Sequence, residues 1–234
     1  MTRLAEGRST HLDRSEIAQE TLRLFDEGGD PSIRQLAKVL AVTPSAIYHH
    51  FDSRAQIVQA AIEIVFIEIL ASVYEEVGDP FEADPIEFLM ATGFCTRRAF
   101  CSHYAIAPYM AATPESDELS AGTLAIMANV FERLGLSGEA AAEAFHSYGS
   151  YTFGNSLFAA NRLASNAALE IDMVEVGRLE RFRSEASPDA KQRSSFETRA
   201  AIDSVMDISM VDPERDEALF GTGLRRLLVS ITNA

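Results

Sequence analysis

The stretch that decides the fold is Ser32-Ile33-Arg34-Gln35-Leu36-Ala37-Lys38-Val39-Leu40-Ala41-Val42-Thr43-Pro44-Ser45-Ala46-Ile47-Tyr48-His49-His50-Phe51. Gly28-Gly29 stops the chain before it, and Asp30-Pro31-Ser32 restarts it. Ser32 is placed as N-cap of a short helix whose apolar positions are Ile33, Leu36, Ala37 and Leu40. Thr43 caps a second helix with Pro44 at its first position, where the missing N–H costs nothing, and with Ile47 and Phe51 on the buried side. Two short helices across so tight a turn have the spacing of a helix-turn-helix. That motif wants a small residue in its first helix, a residue tolerant of left-handed backbone four later, and a branched apolar residue six beyond. Ala37, Ala41 and Ile47 fill these places. Ala41 stands where glycine would avoid a Cβ penalty of about 1–2 kcal/mol, so the turn is expected to be either strained or of slightly different form.

Helical spacing continues on both sides. Upstream, Ile17, Thr21, Leu22 and Phe25 form one stripe over residues 15–25. Downstream, Asp52 and Ser53 open a long fourth helix carrying Ile57, Ala61, Ile64 and Leu70, which ends near Val77-Gly78-Asp79-Pro80. Further helices are predicted over residues 86–101, 116–134, 137–163 and 213–231, with a polar loop at 184–195 and no alternating strand pattern. The predicted fold class is all-α: an N-terminal three-helix helix-turn-helix domain, residues 1–57, joined by the long fourth helix to a C-terminal helical bundle within residues 58–234.

The 234 residues suffice for a core without disulfides or structural metal. A composition 47% hydrophobic and 24% charged is that of a globular chain. The formal charge of −15 argues against a strongly basic nucleic-acid binder, yet the charge is segregated. Residues 1–57 hold seven Lys and Arg against eight Asp and Glu, a net −1, which leaves −14 on the remainder. An acidic body repels a duplex and orients the near-neutral end toward it. Cys95 and Cys101 lie six residues apart on one helix, about 240° around its axis, and do not bridge. A reducing compartment follows. Residues 1–13 hold no apolar run of signal-peptide length, and the most apolar window, 62–71, is interrupted by Glu63 and Glu68. The expected location is the cytoplasm, with no membrane partner.

Residues 147–154 contain no G-x-S-x-G elbow, and Gly221-Thr222-Gly223 lacks a third glycine and a preceding strand. No Cys/His cluster has zinc spacing. The reading is a non-enzyme with no catalytic residues, no metal and no cofactor.

Ser32-Ile33-Arg34-Gln35-Leu36-Ala37, Val42-Thr43, Ile47-Tyr48-His49-His50-Phe51 and Ser53-Arg54 together resemble the N-terminal domain of TetR-family (tetracycline-repressor-like) transcriptional regulators. The resemblance spans residues 15–64, and a weaker echo at 220–228 is similar to the family's final dimerisation helix. It implies that Ser32, Thr43, Tyr48 and Arg54 contact the DNA backbone and that Ser45, Ala46 and His49 meet base edges in the major groove. Arg34 and Lys38 flank that surface, and the N–H groups opening the Thr43-capped helix suit a phosphate. His50 reads as a core or capping histidine.

By the same resemblance residues 58–234 form an effector-binding and dimerisation domain. Most aromatic and methionine side chains there are ordinary core. Phe94, Arg97, Tyr109, Met127, Phe131, His146 and Asn155 are the candidates for contact with a small-molecule effector, with His103 and Asn161 also among the polar groups. Ala141, Ala144, Gly149, Leu224, Leu227 and Leu228 are the candidates for a homodimer interface. The implied protein is a ligand-responsive homodimeric repressor released from a palindromic double-stranded DNA operator by a small molecule. The competing readings are an all-α intracellular enzyme and an acidic protein-interaction module, each with a purely structural helix-turn-helix.

Overall fold

The computed structural model describes residues 12–112, 117–168 and 213–233, and every regular element among them is α-helical. The predicted loop at 184–195 lies outside the described residues. The helices are α1 (Arg14–Asp26), α2 (Ile33–Val39), α3 (Pro44–Tyr48), α4 (Arg54–Val77), α5 (Pro85–Ser102), α6 (Ala107–Ala112), α7 (Asp117–Arg133), α8 (Gly138–Ala168) and α9 (Pro213–Thr232).

Local chemistry starts each of the first five. Asp13, Ser32, Thr43, Ser53 and Asp84 all turn a side-chain oxygen onto backbone N–H groups of the following first turn. At Ser32 the cap is reciprocal, because the Gln35 side chain returns to the Ser32 backbone N–H at 2.9 Å. Between α2 and α3 the chain turns through Ala41 at φ 56°, the left-handed conformation that the sequence predicted there. The Val42 N–H closes the turn on the Ala37 carbonyl at 2.9 Å.

Two apolar cores divide the molecule. Ile17, Leu36, Ala37, Ile47, Phe51 and Ile57 make the small core of the N-terminal head. The larger core takes Leu22 and Phe25 from α1 and Val58, Ala61, Ile62, Val65 and Phe66 from α4, and continues through α5 to α9. Helices α1 and α4 thus serve both: Ile17 and Ile57 point into the head, Leu22 and Val58 into the body. Two small residues set how near α9 lies to α5. A Cβ at Gly93 would sit 2.5 Å from Leu224, and one at Gly221 would sit 2.6 Å from the Phe94 ring.

Helix α4 corrects one expectation. Despite Glu63 and Glu68, its 24 residues have the length and composition of a membrane-crossing segment. Part of its apolar surface is taken up inside the protein, where Val65, Phe66, Ile69 and Val73 are buried in the large core, while Ile67 and Tyr74 stay exposed. At its far end, Arg133 on α7 donates to the carbonyls of Pro80 and Ala83, at 3.1 and 2.5 Å, and so ties the α4–α5 connection to α7. Helix α6, six residues long and containing Pro108, is an element that apolar spacing did not reveal.

Candidate nucleic-acid interface

Ile47 is fully buried, so α3 is anchored by one side chain and turns the opposite side outward. Ser45, Tyr48 and His49 lie on that outer side at helical spacing, all exposed, with Tyr48 half-exposed by area and Ala46 partly covered beside them. An exposed tyrosine and histidine on a helix held by a single isoleucine contribute nothing to the head's core. Ser32, Arg34, Lys38 and Thr43 are exposed as well. The Thr43 hydroxyl oxygen accepts from the Ala46 N–H at 3.2 Å. Because Pro44 has no N–H and that of Ala46 is taken, this helix start is a poorer phosphate site than the sequence suggested.

Arg54 departs from the expected picture. Its guanidinium is ion-paired to Asp30 and donates through Nε to the Pro31 carbonyl at 3.0 Å, so it pins the loop ahead of α2 to the start of α4. It also lies 6.0 Å over the Tyr109 ring, at the junction of head and body. Arg14, which sequence reasoning passed over, donates to the His50 carbonyl and stacks 4.1 Å over the Phe51 ring, thereby fixing the turn that leaves α3. Its partners are 36 and 37 residues away, beyond the reach of any local pattern.

The effector candidates are dispersed. Met127 and Phe131 border a groove of about 310 Å³ between α7 and α8, with Leu124, Ala141 and Phe145 around it. Phe94 faces the other side of the bundle and packs edge-on against Phe220. Arg97 is buried and bound to Asp216 on α9 and to Asn155 on α8, the latter at 2.5 Å. Arg162 reaches the same Asp216 oxygen. Tyr109 packs edge-on against Phe25 with centroids 5.5 Å apart, and His146 is exposed on α8. Of these candidates, Met127 is brought together with Phe131, and Arg97 with Asn155.

The interface candidates also divide. Leu224, Leu228 and Ala144 are buried within the chain's own bundle, Leu227, Ala141 and Gly149 are partly covered, and a Cβ at Gly149 would touch nothing. The exposed side of α9 is instead Ala218, Thr222, Arg225, Arg226 and Val229, bordering a groove of about 740 Å³ shared with Met90 and Phe94. Both cysteines are free, and burial raises each thiol's pKa, which keeps them protonated.

A small helix-turn-helix head on a helical body, with one side of its second motif helix turned to solvent, defines a DNA-reading architecture. Residues 17–61 match the family model described as bacterial regulatory proteins, tetR family. Solved structures extend the likeness to the fold of the whole chain. A possible TetR family transcriptional regulator from Streptomyces coelicolor A3(2) is 20% identical with TM-score 0.69, covering 94% of this chain and 98% of that one. The TetR family protein ActR of Streptomyces coelicolor, solved in complex with actinorhodin, is 19% identical with TM-score 0.70, covering 95% and 96%. A single-residue variant of TetR from Acinetobacter baumannii AYE, solved in complex with minocycline, is 20% identical with TM-score 0.65, covering 95% and 97%. Among functionally curated proteins no sequence match is found.

Proposed function

We propose that the protein is a ligand-responsive DNA-binding transcriptional regulator that acts as a cytoplasmic repressor, binding a palindromic operator as a homodimer and leaving it when a small molecule occupies the body. The observation that carries this reading is α3: Ser45, Tyr48 and His49 stand exposed on a helix whose opposite side is locked by Ile47 inside a tetR-family head. Residues 1–57 form the reading unit and 58–234 the responding one. Ser45, Ala46 and His49 read base edges; Ser32, Arg34, Thr43 and Tyr48 hold phosphates, with Arg54 bracing the loop behind them.

Two structures of this fold were solved in complex with actinorhodin and with minocycline. The apolar groove between α7 and α8 is of ligand size. For the second copy the exposed side of α9 is the better surface, because Leu224 and Leu228 are already consumed by the chain's own core. Selecting bound duplexes from a random pool, and then screening small molecules for release, tests the proposal. A chain that enriches no sequence at moderate salt is not a sequence-specific regulator.

A further inference from the structure

The head meets the body at a seam formed by the end of α1, the middle of α4 and the turn from α5 into α6, and one imidazole occupies its centre. His103 caps the C-terminus of α5, and its side chain is only 15% exposed. Nδ1 lies 2.9 Å from an Asp26 carboxylate oxygen on α1, and Nε2 lies 3.2 Å from a Glu68 carboxylate oxygen on α4. Around it, Tyr109 packs edge-on against Phe25, and the Tyr104 hydroxyl lies within 4.0 Å of where a Gly28 Cβ would be. On α1 the nearby cation Arg23 is already taken by Glu20 and Glu27, and on α4 Arg54 is taken by Asp30. Among the described residues no three His, Cys, Asp or Glu side chains are placed to hold a metal ion, so this cluster is a hydrogen-bonded one.

The chemistry of the ring decides what the cluster does. A carboxylate only accepts, and each ring nitrogen faces one. A neutral imidazole has a single N–H and serves one of them, leaving a lone pair against the other, whereas imidazolium donates to both. We propose that His103 is a proton-operated clasp that joins Asp26 of the reading head to Glu68 of the body, closed as imidazolium and half-open as neutral imidazole. Gain of the second ring proton adds the second donor, so the hold on α1 tightens as the ring is protonated and slackens as it is deprotonated. The clasp itself is a property of the free protein. Its consequence for the operator, a grip that varies with pH, rests on the DNA-binding reading.

Hydrogen exchange of the full chain without DNA separates the two. The backbone amides of residues 22–27 are followed at pH 5.5 and pH 8.0, corrected for the intrinsic pH dependence of exchange. The wild-type protein should lose about two- to fivefold protection between the lower and the higher pH, the scale of one part-exposed ion pair. His103→Gln should show the same protection at both, and Asp26→Asn, a milder change at the surface, should halve the difference or better. Equal wild-type protection at the two pH values, or a pH dependence that survives in His103→Gln, overturns the clasp. Affinity for a duplex selected from the random pool, measured at the same two pH values, then tests the consequence. A protein that selects no duplex overturns the regulatory reading, while the exchange result stands by itself.

Discussion

Arg97 on α5 and Asp216 on α9 are 119 residues apart in sequence and closed on each other in a nearly buried ion pair, with Arg162 of α8 on the same carboxylate oxygen. Three helices are thereby joined at one carboxylate, and the Arg97 guanidinium lies 5.0 Å over the Phe220 ring of α9. Removing one member of such a group strands the others in a poorly solvated place.

Asp216→Ala should therefore destabilise the protein by about 3 kcal/mol, since it leaves one buried and one part-buried guanidinium group without their anion. Urea unfolding followed by circular dichroism measures it. A loss below about 1 kcal/mol would mean that water reaches the cluster and screens it.

Ala41→Gly should act the other way. The left-handed backbone at φ 56° costs an alanine about 1–2 kcal/mol, and the greater freedom of glycine in the unfolded chain returns part of that. A net gain of roughly 0.5–1 kcal/mol is expected, seen as a higher melting temperature. No gain would mean that the turn changes conformation when the methyl group is removed.

Readout and grip should separate on the reading head. His49→Ala and Ser45→Ala change the consensus recovered by binding-site selection. Arg34→Ala and Lys38→Ala weaken all duplexes alike, each reducing the slope of log affinity against log salt by about 1. Tyr48→Phe, which keeps the ring and removes the hydroxyl, should also act uniformly. Arg54→Ala is a poor probe of phosphate contact, because it also frees the loop at Asp30 and Pro31.

Two neighbouring substitutions distinguish core from interface on α9. Leu228 is 2% exposed and Val229 55%. Leu228→Asp should unfold the bundle, as a charge buried without a partner does. Val229→Asp should leave the fold intact and shift sedimentation from dimer toward monomer at micromolar concentration. A folded Val229→Asp protein that sediments as wild type places the dimer contact elsewhere.

What could be read from the sequence follows from the range over which each feature acts. Ser32 with Gln35, and Thr43 with Pro44, are arrangements within one helical turn, and local chemistry sufficed to place α2, α3 and the helix-turn-helix between them. Ala41 announced its own strain by being a non-glycine at a left-handed position. The apolar stripe of α9 marked a buried face without saying whose interior buries it; Leu224 and Leu228 turned inward to their own chain. The groups that join head to body lay beyond local reading. His103 reaches Asp26 across 77 residues of chain, and within the head Arg54 reaches Pro31 and Asp30 across 23 and 24; no pattern along the chain relates such positions.

Arg133 holds the chain just past the C-terminal end of α4, while the head is built on that helix's first turn. At 1.5 Å per residue the 24-residue helix is a rod of about 36 Å that carries the head at one end, packs into the large core along its length and is tied to α7 just past the other. A rotation of about 5° around the fastened end carries the loaded end through about 3 Å, close to the rise of one base pair along a duplex. Two such rods swinging in opposite senses in a symmetric pair would change the spacing of their tips by up to twice that. In the dimer proposed above, a body that yields by fractions of an ångström near residues 80–83 would have the gearing to put two readers out of step with the groove.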